Sequence, residues 1–262
     1  MSATAQGYAS ERAQEMGALL LRWFRRLARE KYTLMFTLMQ PLFWLILFGS
    51  LFSVVNPAGI EGNYLEFVLP GILVLNVLGA GLAAGIEVMF DKETGFLHRL
   101  LATPISRGSV IAARITYVVC TALLQVAVLL GIAYAMGARL HGGVAGLGVI
   151  LGVAVLLAIG LGALSLVLAF VYKSHGEFFA TLGFVNMPLF FLSSALLPVE
   201  RMPGWMQTLA MLNPLTHAID VARAAATQGV PWGVLPKAVA ALLLIDVLAL
   251  ALAVRVFNRR VE

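Results

Sequence analysis

"MFDKETGFLHRLLATPISRGSVIAAR", residues 89–114, places Asp91, Lys92, Glu93, His98 and Arg99, and then Pro104, in a chain otherwise rich in leucine, alanine, valine and glycine. The runs on either side, 65–89 and 115–137, are apolar and long. A helix needs about 20 apolar residues to cross a hydrocarbon core of about 30 Å. Both runs meet that length, as do 34–55, 144–171, 178–197 and 235–256. Runs of this kind do not alternate as barrel strands do, so the expected fold is all-α, with six transmembrane helices.

Composition agrees with a membrane solvent. Of 262 residues, 61% are hydrophobic and 12% charged, against about 45–50% and about 25% in soluble domains. The net charge of +5 would suit a nucleic-acid partner only if the cations formed one patch. Instead they track topology. Arg12, Arg22, Arg25, Arg26, Arg29 and Lys31 precede the first span; Lys92, Arg99, Arg107 and Arg114 follow the second. Lys173 follows the fourth, and Arg255, Arg259 and Arg260 end the chain. Only Arg139, Arg201, Arg223 and Lys237 fall on the opposite side. The positive-inside rule therefore makes 89–114 and both termini cytoplasmic, and no nucleic acid is expected. The first 30 residues lack the pattern of a cleaved signal peptide, so the N-terminus is expected to be retained.

Three segments are neither spans nor plain loops. At the N-terminus, Met16, Leu20, Trp23 and Leu27 recur at helical spacing, Phe24 widens the stripe, and Arg22, Arg25, Arg26 and Arg29 lie beside or opposite it. This is the pattern of an interfacial helix on an anionic leaflet. It either anchors the first span or also touches a cytoplasmic partner. In the opening stretch, Phe96, Leu97, Leu100 and Leu101 form an apolar strip on a helix leaving the second span. Pro104 disfavours helix at Thr103, and Ser106 or Ser109 then caps the next helix. The strip either rests on the membrane interface or docks a soluble protein. On the outer side, Pro198, Pro203 and Pro214 divide 198–234 into short pieces. Helices at about 203–212 and 214–226 follow, with Asn213 as cap and Pro214 in the first turn. Being short and apolar, they should dip back into the outer membrane face, with Trp205 at the interface. Asp220 and Arg223 are spaced to pair.

Several chemistries have no support. No G-x-x-x-x-G-K-[ST] loop is present, so this chain is not expected to bind ATP in the P-loop manner. One cysteine, Cys120, and four histidines divided between the two sides make no metal set. Ser165 has no histidine at its depth to act as base. Among intramembrane polar residues, Glu66 and Glu87 can reach the interfaces, and Asn76 and Asp246 lie deeper. A proton-coupled carrier would use Asp246; a hydrogen-bonded structural role competes with it. Glycines 81 and 85, and 148 and 152, offer faces for close helix approach, either within the chain or at a dimer seam.

With these residues in place, the chain resembles the permease subunits of type-2 ATP-binding-cassette exporters, the drug-resistance, nodulation-factor and polysaccharide export group. In "NPLTHAIDVAR", residues 213–223, Pro214, Leu215, His217 and Arg223 occupy places similar to that family's C-terminal signature, preceded by "LSSALLP" at 192–198. "LLATPISR", 100–107, and "VLPGIL", 68–73, are similar to loop and span motifs of the drug-exporter branch. The resemblance implies one permease domain over 1–262, with an interfacial helix at 9–32, a cytoplasmic coupling loop at 90–114 and an outer re-entrant segment at 198–234. It implies no catalytic residue and no cofactor in this chain, ATP and Mg being held by a separate ATPase subunit. A second permease subunit, identical or not, would complete the pathway in the plasma (inner) membrane. Asp91, Lys92, Glu93, Phe96, Leu97, Arg99 and Leu100 would form the coupling helix seated on the ATPase, braced by Arg22, Trp23, Arg25 and Arg26. Pro198, Trp205, Asn213, Pro214, His217 and Arg223 would form the extracellular gate. The implied cargo is an amphiphilic small molecule, drug or lipid; a polysaccharide or lipid-linked glycan is the alternative within the family.

Overall fold

A computed structural model of the chain describes residues 17–18, 20–25, 31–55, 64–102 and 107–260, and every regular element among them is helical. The elements are α1 (Lys31–Val55), α2 (Tyr64–Glu93), α3 (Phe96–Leu101), α4 (Arg107–Ala135), α5 (Gly143–Val171) and α6 (His175–Phe191). After a 3₁₀ turn at Val199–Arg201 come α7 (Gly204–Leu212), α8 (Pro214–Gln228) and α9 (Leu235–Arg260). Residues 20–25 form a further helical piece. Arg26, with Met16, Leu27 and Pro104, lies outside the described residues.

Among the described residues, four helices are long and apolar enough to cross a membrane: Tyr64–Glu93, Gly108–Ala135, Gly143–Val171 and Leu235–Phe257. They make the chain a multi-pass membrane protein. Two of the six expected spans fall short of that measure. In α1 the described apolar stretch covers Met35–Ser50, and α6 has 17 residues. The expected span at 178–197 ends early because α6 stops at Phe191, one turn after Pro188 sets in. Beyond it the chain turns. The Ser193 hydroxyl donates to Phe190 O at 2.7 Å, and the Asn213 side chain takes over Leu189 O and Leu192 O at 2.8 and 2.9 Å. Leu189 O and Leu192 O would otherwise be orphans of the helix end.

At the core of the bundle α2 lies against α5, with α4 and α9 beside them and α8 wedged between their outer ends. Close approach decides this arrangement. A side chain at Gly81 would strike Leu161 of α5, and one at Gly85 would strike Ser165 and Phe178. At Gly148 and Gly152 there is open space instead. The first glycine pair therefore serves packing within the chain. Ser165 sits in the same seam, accepting from Gly85 N at 3.0 Å and donating to Leu82 O. Its hydroxyl is a helix–helix tie. Asp246 is buried where α9 meets α5, with its carboxylate packed against Gly160. A Cβ at Gly160 would collide with that carboxylate.

The opening stretch is helical in two pieces. The second span continues through the charged residues to Glu93, then breaks at Thr94–Gly95 before α3 begins. One uninterrupted helix had been expected here. Gly95 takes φ 67°, which ends α2, and the Thr94 hydroxyl donates back to Phe90 O at 2.9 Å. Ser109 lies inside α4 and so does not cap it.

Candidate functional site

At the end of the bundle where α2 passes into α3, the expected coupling residues are tied into the chain itself. Asp91 accepts from Arg22 at 3.1 Å, and that guanidinium lies 3.8 Å from the ring centre of Phe96 and 4.7 Å from that of Trp23. Helix 20–25, the end of α2 and α3 thus share one knot. Lys92 donates to Ala169 O and Tyr172 O at the end of α5, and Glu93 meets His175 at the start of α6. Leu97 is buried, Phe96 and Leu100 are half-buried, and Arg99 is exposed. In the interfacial piece Trp23 is buried while Phe24 and Arg25 face outward.

Arg114, from the first turns of α4, holds the knot from inside. Its side chain is 4% exposed. The guanidinium donates to Ala84 O at 3.0 Å and to Glu87 at 3.2 Å, and lies 4.4 Å from the Trp23 ring centre and 5.1 Å from that of Tyr117. A buried cation at this depth requires such partners.

The segment 198–234 is organised by Asn213 and Arg223. Asn213 caps α8 by accepting from Leu215 N at 3.0 Å while its amide nitrogen closes the end of α6. Pro214 occupies the first turn and Gly229, at φ 85°, ends the helix. Arg223 donates to Phe67 O at 3.2 Å and Ser194 O at 2.7 Å, and lies 3.9 Å from the Phe67 ring centre. Asp220 stands 3.5 Å from Arg223 and accepts from Ser194 at 2.6 Å. The expected pairing is present, and it ties α8 to α2 and to the turn after α6. His217 donates to Met211 O at 2.9 Å, which joins α7 to α8. Pro198 is half-buried at the turn, and Trp205 is exposed on α7.

Between these two ends, α1, α2 and α6 line a half-open cavity of about 400 Å³. Trp44, Phe48 and Phe190 supply aromatic faces, and Gln40, Asn76 and Asn186 supply amides. Trp44 stacks on Phe48 at 5.1 Å between ring centres. Asn76 is oriented by donating to Gln125 of α4 at 3.1 Å.

Residues 14–226 match the family model described as ABC-2 type transporter. The chain belongs to the ABC-2 type transporter family. Its relatives include a transport permease, ycf38, of Porphyra purpurea, 40% identical over 83% of this chain and 75% of that protein. A daunorubicin resistance ABC transporter permease protein, DrrB1, of Streptomyces coeruleorubidus is 28% identical over 81% and 76%. A doxorubicin resistance ABC transporter permease protein, DrrC, of Mycobacterium tuberculosis is 23% identical over 86% and 80%. An ABC-2 permease implies an ATP-binding partner subunit, and the resemblance read from the NPLTH…R stretch is thereby upheld.

Within this permease, sequence reasoning missed Arg114, Tyr117, His175 and Gln125 as partners. Two signals were available. Ser174-His175-Gly176-Glu177 is a capping box, and Ser174 does accept from Glu177 N at 3.3 Å. Arg114 directly precedes an apolar run that follows Glu87 in the neighbouring span, a pairing that only helix adjacency reveals.

Proposed function

We propose that this chain is the permease half of an ATP-driven exporter for an amphiphilic small molecule, working with a separate ATPase subunit and a second permease subunit. The observation that carries the cargo class is the cavity between α1, α2 and α6. Its volume of about 400 Å³ falls within the roughly 300–1,000 Å³ typical of small-molecule sites. Its aromatic faces suit a flat apolar body, and its amides suit the polar edge of an uncharged or weakly charged ligand. The drug-resistance names of the relatives point the same way.

In this reading α1 and α6 complete six crossings, with both termini and α3 in the cytosol. Segment 91–100 receives the ATPase subunit, which holds ATP and Mg, and helix 20–25 braces that contact through Arg22 and Trp23. The segment from Pro198 to Arg223 closes the outer end. The exposed apolar faces of α1 and α6, among them Phe36, Phe43, Phe184 and Met187, meet the second permease subunit.

The test is transport of daunorubicin by the permease with its ATP-binding subunit in proteoliposomes. ATP-dependent uptake is expected, with Trp44→Ala and Asn76→Leu each reducing it about tenfold. ATP-dependent movement of a lipid-linked glycan, with none of daunorubicin, would replace the cargo class. Transport driven by a pH gradient without the ATPase would overturn the whole reading.

A further inference from the structure

The last two residues of α2, Lys92 and Glu93, grip the two sides of a single elbow. Lys92 Nζ donates to Ala169 O at 2.8 Å and to Tyr172 O at 2.9 Å, carbonyls at the end of α5. Glu93 meets Nδ1 of His175, the first residue of α6. A cation at one helix's C-terminus and an anion at the next helix's N-terminus both match the helix dipoles. The His175 ring lies 4.5 Å from the Phe90 ring centre and 6.1 Å from that of Phe179. The contact is thus packed as well as hydrogen-bonded.

The two helices joined at this elbow differ in how firmly they are held. Against α2, α5 is seated through Gly81, Gly85 and Ser165. In α6 only Phe178 and Leu182 are buried, and its far end is held by the Asn213 amide. Within this chain α6 is therefore the less restrained of the two helices. Phe190 and Asn186, on α6, line the cavity.

We propose that Lys92 and Glu93 are positioning residues that pass movement of segment 91–100 into the α5–α6 elbow, and so into the α6 wall of the cavity. Within that segment the contact to the ATPase subunit falls chiefly to α3, where Phe96 is half-buried and Arg99 exposed. The proposal rests on segment 91–100 being the docking element. Asp91, through Arg22, ties the interfacial helix to the same point. Three consecutive charged residues thus distribute one displacement to three elements.

The experiment uses the full permease with its ATP-binding subunit in proteoliposomes and reads three quantities: co-purification of the subunits, ATP hydrolysis, and daunorubicin moved per ATP. Lys92→Met and Glu93→Gln are expected to keep the first two within about twofold and to lower the third about tenfold, the scale set by losing a charge-assisted hydrogen bond. Lys92→Arg is expected to restore it. Arg99→Glu with Phe96→Ala, on the partly exposed side of α3, is expected to give the opposite pattern, with assembly itself lost. Loss of assembly in Lys92→Met and Glu93→Gln would make them docking residues and overturn the proposal, as would unchanged transport per ATP. Assembly that survives Arg99→Glu with Phe96→Ala would instead sink the docking reading beneath it. Should Lys92→Met fail to insert, Glu93→Gln decides alone, since it leaves both Lys92 bonds in place. Failure of both to insert overturns the proposal, because the pair would then serve folding.

Discussion

Replacing Glu87 by Gln tests whether the Arg114 knot holds the α2–α3 end of the bundle together, and the two partners differ in a way that sets the size of the effect. The Arg114 side chain is 4% exposed and the Glu87 side chain 25%. Without the charge, a guanidinium that cannot reach water keeps Ala84 O, the neutral amide oxygen left at position 87 and the rings of Trp23 and Tyr117. Breaking a buried pair from this side costs about 3–5 kcal/mol. The rings remain and each offsets about 0.5–2 kcal/mol, so about 3 kcal/mol is expected for Glu87→Gln. In a chain of this size that lowers Tm by roughly 6–12 °C. Arg114→Met should cost less, about 2 kcal/mol, because Glu87 can turn to water and the methionine keeps part of the packing on Trp23. The double variant should be no worse than Glu87→Gln alone, since no unpaired buried charge remains. Tryptophan fluorescence during thermal unfolding in detergent reads this, and Trp23 reports from the site itself. A Tm within about 1 °C of the parent for Glu87→Gln, or the reverse order of the two single variants, would refute the reasoning.

Other consequences are equally specific. Gly85→Ala should destabilise by about 1–3 kcal/mol, because the new methyl meets Ser165 and Phe178. Gly152→Ala, facing open space, should be neutral or stabilise by up to about 1 kcal/mol; thermal unfolding separates the two. Asn213→Ala removes a cap worth about 1 kcal/mol and two donors to the end of α6. A total of about 2–3 kcal/mol and faster amide exchange at 189–192 are expected. Asp246→Asn keeps the size and the acceptor oxygen of the side chain packed against Gly160 and should retain transport in proteoliposomes; its loss would favour proton coupling over a structural role.

The sequence by itself determined that this chain lies in a membrane, where its helices begin and end at the outer segment, and to which family it belongs. Those properties reside in contiguous residues. Run length sets a crossing, Asn213-Pro214 sets a helix start, and 213–223 carries the signature. Even the Asp220–Arg223 pair was legible, since three residues along a helix guarantee neighbourhood. Only the tertiary structure decided what the charged residues of 91–93 do. Their partners, Arg22, Ala169, Tyr172 and His175, lie roughly 70–80 positions away in the chain, and no local spacing marks them. The same holds for the cavity, whose walls come from α1, α2 and α6, the last of these far from the others in the chain. Periodicity can report which face of a helix avoids water, but in lipid nearly every face is apolar. Which apolar face meets which neighbour is then settled by small residues and buried hydrogen bonds, and these become pairs only in three dimensions.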